Sequence, residues 1–199
     1  MKNFFSILLL MTLFSCAGSY NHISSYTSKI TPTLEEDGLA YSFKYDLLSE
    51  SGNKKYSQKA NKKGIKLLAI TVENNTGRSI NFKNDVDLFV SNKLVFPMET
   101  QLIYETIKQP SPLYLLWGLL WVTFYNCNNS DCNVTPIPIG LVIGVGNMIV
   151  ANTSNTNLRL DLEENNIIDK EIPNGESFSG IIGLPIQRSE PISLKLKNY

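Results

Sequence analysis

The chain has 199 residues, 43% of them hydrophobic, with Lys+Arg and Asp+Glu balanced at 18 each and a single histidine. That balance leaves no basic stripe to neutralise phosphates, so nucleic acid is excluded as a partner. One histidine excludes a histidine metal cluster, and no metal or other cofactor is expected.

The N-terminus reads MKNFFSILLLMTLFSCAGS. Lys2 gives a short positive segment, Phe4 to Phe14 an apolar stretch, and Ser15 a small residue before Cys16. This is the layout of a cleaved secretory signal, residues 1–15. The apolar stretch is too short for the ~20 residues that a spanning helix needs. The tetrapeptide LFSC resembles the lipobox of bacterial lipoproteins. The resemblance implies that Leu13 and Ser15 are the recognition residues and that Cys16 becomes the acylated first residue of the mature chain. Phe14 departs from the smaller residue more usual there. Ala17 follows with no acidic residue nearby, which implies the outer membrane rather than retention at the inner one, with the side faced left open. Residues 16–38 are Ser/Thr-rich and unpatterned, as a tether would be.

Processing would leave about 184 residues, enough for one domain with a proper core, expected over 39–199. LAYSFKYDLL alternates Tyr41, Phe43 and Tyr45 against polar residues, a half-buried strand. The Lys-rich segment SESGNKKYSQKANKKG reads as a long hairpin loop. Ile65 to Glu73 is a strand, NNTG a turn, and Ser79 to Phe82 a second strand. VDLFV and LVFPME form a hairpin turned at Ser91 to Lys93. TQLIYETIK fits a strand or a helix.

Two intensely apolar runs follow, Leu113 to Tyr125 and Pro136 to Ala151, both short of a membrane span and without flanking Lys or Arg. Gly140 and Gly144 lie one helical turn apart, a spacing that lets another backbone approach closely. Residues 112–151 are therefore expected to form an apolar helical hairpin, with Trp117 and Gly118 packed opposite the glycines. Between the runs, Cys127 and Cys132 are expected to close a structural disulfide in an oxidising compartment. The hairpin is either core or a surface offered to the membrane or to an envelope protein. In the second case Tyr114, Trp117, Trp121 and Tyr125 supply the aromatics suited to an interface. Beyond it, Leu158 and Leu162 mark a short helix capped by Asn or Ser. A Pro-Asn-Gly turn then precedes a strand over Glu176 to Leu184, and Ile192, Leu194 and Leu196 alternate in a last one.

Short strands, frequent turns and no strand–helix alternation predict a mainly β, antiparallel sandwich. LLAITVENNTGRSINF and IPNGESFSGIIGLP, with a small residue at Gly180, are similar to immunoglobulin-like domains of envelope lipoproteins. That resemblance brings no catalytic residue with it.

The catalytic inventory is thin. His22 lies in the tether, so a triad would need it to fold back. Carboxylate pairs exist at Asp85 with Asp87, Glu163 with Glu164, and Glu35 and Glu36 with Asp37, the minimum for a glycan hydrolase. Asp85 and Asp87 lack the further oxygen ligands and the glycine of a calcium loop. The leading expectation is a lipid-anchored, non-enzymatic binding or scaffolding module of the cell envelope. The alternatives are a subunit of an outer-membrane assembly docking through the hairpin, and a carboxylate-dependent glycan hydrolase.

Overall fold

The computed structural model describes residues 16–23, 31–128 and 131–197. Leu13 and Ser15 lie outside the described residues. Strands account for 33% and helices for 35% of the structure, and the sheets are antiparallel. The chain divides into a larger unit, Tyr20–Lys108 with Asn155–Tyr199, and a smaller one, Met1–Ser19 with Gln109–Ser154.

In the larger unit β1 (Leu34–Glu36), β2 (Leu39–Lys44), β3 (Lys66–Asn74) and β10 (Ser177–Leu184) form a sheet in the order β1-β2-β3-β10. A second sheet has the order β11-β5-β6, built from β5 (Val86–Val90), β6 (Lys93–Leu94) and β11 (Ile192–Leu196). β4 (Ile80–Asn81) pairs with β9 (Glu171–Ile172). The two-residue turn from β5 to β6 places Ser91 and Asn92 at φ 48° and 64°, as a primed hairpin turn requires.

β3 decides the layering. Leu68, Ile70 and Val72 point to one core, shared with Leu88, Val90 and Leu194 of the second sheet. Leu67 and Ala69 point the other way, into a second core. Alternation at period two thus delivers apolar side chains to both faces, which is why β3 reads as a continuous apolar run. Helices cover the second face: α1 (Leu47–Glu50), α2 (Lys54–Lys62), α4 (Thr100–Ile107) and the C-terminal part of α5 (Ile139–Glu164) all contribute to that core. The short helix α3 (Phe82–Asp85) links β4 to β5.

The expected Lys-rich loop is instead α1 and α2. α2 buries just Tyr56 and Ala60, one turn apart, exposes Lys54 and Lys62, and half-buries Lys55 and Lys59. Two apolar residues on one stripe suffice when a sheet lies beneath, yet they leave almost no pattern to read. TQLIYETIK is the helix α4, with Ile103 and Ile107 buried. The expected short helix is the C-terminal part of the 26-residue α5. Its polar stretch NTSN is no cap because Ser154 and Asn155 are buried within the helix, and Asn155 accepts a 3.0 Å bond from the Tyr56 hydroxyl. Gly180 lies under the segment that follows α5, where a Cβ would stand 2.6 Å from the Asn165 carbonyl oxygen.

The smaller unit corrects the helical hairpin. Ser111–Leu119 is a 3-10 turn, after which β7 (Val122–Asn128) and β8 (Asp131–Ile137) form a β-hairpin; the second apolar run alone is helical, opening α5. Val122, Thr123, Phe124 and Tyr125, β-branched and aromatic, favour a strand at the end of the first run. The Cys127–Cys132 disulfide forms, joining residues directly opposite in this hairpin.

Candidate functional site

The smaller unit is built on close approach. Gly140 and Gly144 lie on the side of α5 that meets the 3-10 turn. A Cβ on Gly144 would stand 2.7 Å from the Tyr114 carbonyl oxygen and 3.3 Å from Trp117 Cβ. One on Gly140 would stand 2.7 Å from Leu120 Cβ. Trp117 therefore packs against the glycine side, as the spacing suggested. Spending the small residues on this contact leaves the large ones facing outward. Leu116 is 62% exposed, Leu119 77%, Phe124 56% and Val142 77%. Leu113, Leu141, Ile143, Val145, Ile149 and Val150 are exposed as well. Every residue of β7 is exposed. Within Gln109–Ser154 the sequence carries one charged residue, Asp131, although the whole chain is 18% charged.

Of the four aromatics expected at such a surface, Trp121 and Tyr125 are exposed and Trp117 is half-buried. Tyr114 is the exception. It is buried at 8% exposure, and its hydroxyl donates to Gln109 Oε1 at 3.2 Å. It lies inside because the helix glycines draw the backbone of its own turn inward.

Cys16 is exposed and outside the disulfide. The residues after it are held in place on the apolar unit. The Ala17 amide donates to Asn147 Oδ1 at 2.6 Å. Gln109, itself buried, accepts from the Gly18 amide at 2.9 Å and donates back to the Gly18 carbonyl at 2.7 Å. Burial raises the Tyr114 phenol above its ordinary pKa, with nearby Cys16 adding to the shift. The expected tether over 16–38 is thus largely structured where it is described.

In the larger unit the same segment continues into packing. Ile23 is fully buried and Tyr20 nearly so. Buried Asp161 on α5 accepts from the Tyr20 hydroxyl at 3.0 Å, from the Ile23 amide at 2.7 Å, and meets His22 Nδ1 at 2.8 Å. Burial, with Asp161 adding, pushes the Tyr20 phenol far up; the Asp161 hydrogen bond and charge raise the His22 pKa. His22 has therefore folded back onto a carboxylate, as two members of a triad would. The same carboxylate is shared by a phenol and an amide, so it fastens the segment down. Asp161 follows Leu158 by three residues on one helical stripe, and an acid on an apolar stripe is the signal that could have flagged it.

A cleft of about 370 Å³ also lies within this unit. Phe82, Val86, Leu88 and Ile168 form its buried floor, and the exposed Leu94 and Phe96 its lip. Lys83 pairs with Asp169 at 3.8 Å, and Lys197 with Asp87 at 4.0 Å, along the rim. The volume falls in the range of small-ligand sites. No histidine, serine or cysteine is among the lining residues.

The carboxylates singled out in sequence are engaged separately. Asp85 accepts from the Asn81 amide at 2.7 Å and pairs with Arg78 at 3.1 Å, and these partners lower its pKa, the amide most. Glu163 faces Arg159 at 3.9 Å, Glu36 faces Lys195 at 2.9 Å, and Asp37 sits at φ 54° in the β1–β2 turn. Glu35 belongs to β1, and Glu164 closes α5, where its charge helps raise the His22 pKa. Sequence reasoning missed Gln109, Asn147, Asp161 and the cleft, all of which depend on segments distant along the chain. No protein family, curated protein or solved structure matches this chain.

Proposed function

We propose that this chain is a lipid-anchored, non-enzymatic protein of the bacterial cell envelope, processed before Cys16 and held at the outer membrane as a binding or scaffolding module. One observation carries the reading: Cys16 is exposed, and the two residues after it are hydrogen-bonded onto a unit whose surface is apolar and nearly free of charge. An acyl chain contributes ~0.8 kcal/mol per buried CH₂, so several chains on one cysteine make an effectively permanent anchor. The larger unit is then the part displayed, and the immunoglobulin-like element of the reading is confined to its two facing sheets. Its cleft suits a compact apolar group with a polar end, and two of its acids, Asp87 and Asp169, are paired with lysines.

The test is the intact mass and N-terminus of the protein extracted from bacterial membranes. The expected result is a chain that begins at an acylated Cys16, with acylation and membrane retention lost in Cys16→Ser. A mature chain that begins elsewhere, or that carries an unmodified Cys16 thiol, would refute it.

A further inference from the structure

We infer that the apolar surface of the smaller unit seats itself in the interfacial layer of a lipid bilayer, beside the acyl chains on Cys16. This rests on the lipid-anchored reading above for the identity of the membrane. It goes further in making the protein surface itself a binding element for lipid.

Three observations favour lipid over a protein partner. The residues after Cys16 are bound to Gln109 and Asn147 of the same unit, so the acyl chains emerge where the apolar surface is. The exposed side chains are distributed over the 3-10 turn, the β-hairpin and α5, a spread that a fluid layer covers without a matched shape. Asp131 is the sole charge in 109–154, so the segment offers almost no charge complementarity to fix a protein partner's register.

The depth follows from the backbone. The apolar part of α5, from Ile139 to Ala151, is about 20 Å long at 1.5 Å per residue, against a hydrocarbon layer of about 30 Å. No described helix is long and apolar enough to cross a membrane. β7 and β8 pair with each other alone, and their outward amides and carbonyls need water. The strands therefore lie at headgroup level, where Trp121 and Tyr125 are at home. Leu116, Leu119 and Val142 reach into the acyl region.

Both tryptophans of the chain, Trp117 and Trp121, belong to this unit, so selectively excited tryptophan fluorescence reports on it alone. The experiment uses the chain from residue 16 with Cys16→Ser, and therefore without lipid, mixed with neutral phosphatidylcholine vesicles. The expected result is co-sedimentation that persists from low to high salt, together with tryptophan quenching by phospholipids brominated near the headgroup end of their acyl chains. Leu119→Gln with Val142→Asn, both at exposed positions, should weaken partitioning roughly tenfold or more with the circular dichroism unchanged. Failure to bind vesicles, whether the chain stays monomeric or self-associates through this surface, would overturn the proposal. So would binding that the double substitution leaves intact. The mass measurement above is independent: an unlipidated Cys16 with intact vesicle binding would sink the anchor and spare the surface.

Discussion

The two units use the same kind of residue in opposite ways. In the larger one, Leu67, Leu68, Ala69, Ile70 and Val72 of a single strand are buried between a second sheet and a layer of helices. In the smaller one, Leu116, Leu119, Val142 and Phe124 stand open to the surroundings. Helix α5 runs through both regimes. Its N-terminal part turns glycines inward and Val142 outward, while its C-terminal part buries Leu158 and Leu162 and exposes Arg159 and Glu163. Hydrophobicity alone therefore does not make a core. A residue is buried when enough elements exist to cover it, and a turn, one hairpin and part of a helix do not offer enough.

Substitutions should separate the two regimes. The largest expected effect is in β3, where Ile70→Ala removes a fully buried side chain between two sheets and should cost about 2–5 kcal/mol in urea unfolding. Val142→Asn, at an equally apolar residue of the smaller unit, should change stability by less than about 0.5 kcal/mol and be felt in vesicle binding instead. A large loss of stability there would erase the contrast. Asp161→Ala strands the Tyr20 hydroxyl and the Ile23 amide and should cost about 1–3 kcal/mol, with hydrogen exchange faster at residues 20–23. Cys127→Ser with Cys132→Ser opens a short loop worth about 2 kcal/mol in the chain-entropy account. The loss should be confined to β7 and β8 in exchange experiments, leaving β3 protected.

The smallest effect is one of pH. Asp161 raises the His22 pKa above 6.5, so the protonated ring adds to the fastening of the N-terminal segment. That contribution is complete below the unfolded pKa and is lost as pH rises through the higher folded value. The protection factor of the Ile23 amide, its exchange taken relative to the intrinsic rate at each pH, should fall across that window and become insensitive to pH in His22→Gln. An unchanged pH dependence in that variant would separate His22 from the fastening.

Much of the β framework was legible. Tyr41, Phe43 and Tyr45 alternate in sequence and pack on one core, and the β5–β6 turn falls where Ser91 and Asn92 announce it. The disulfide and the close approach at Gly144 were also readable, since the two cysteines and the glycine pair Gly140 and Gly144 are each a few positions apart. What misled was local apolar content taken as helix: Leu113 to Tyr125 is as hydrophobic as the opening of α5, yet it forms a 3-10 turn and then a strand. The helices over 47–62 escaped because a sheet beneath them demands so little of their own pattern.

The near absence of charge from 109 to 154, the alternation of the strands and the resemblance of LFSC to a lipobox are all readable in the chain alone. Those are properties of residue type and short spacing. Which apolar residues are covered, the hold of Gln109 and Asn147 on the residues after Cys16, and the gathering of Tyr20, His22 and Ile23 at Asp161 emerge from the folded arrangement. Burial and hydrogen-bond satisfaction are relations between segments a hundred residues apart. No local pattern encodes them, because each depends on what the rest of the chain places opposite.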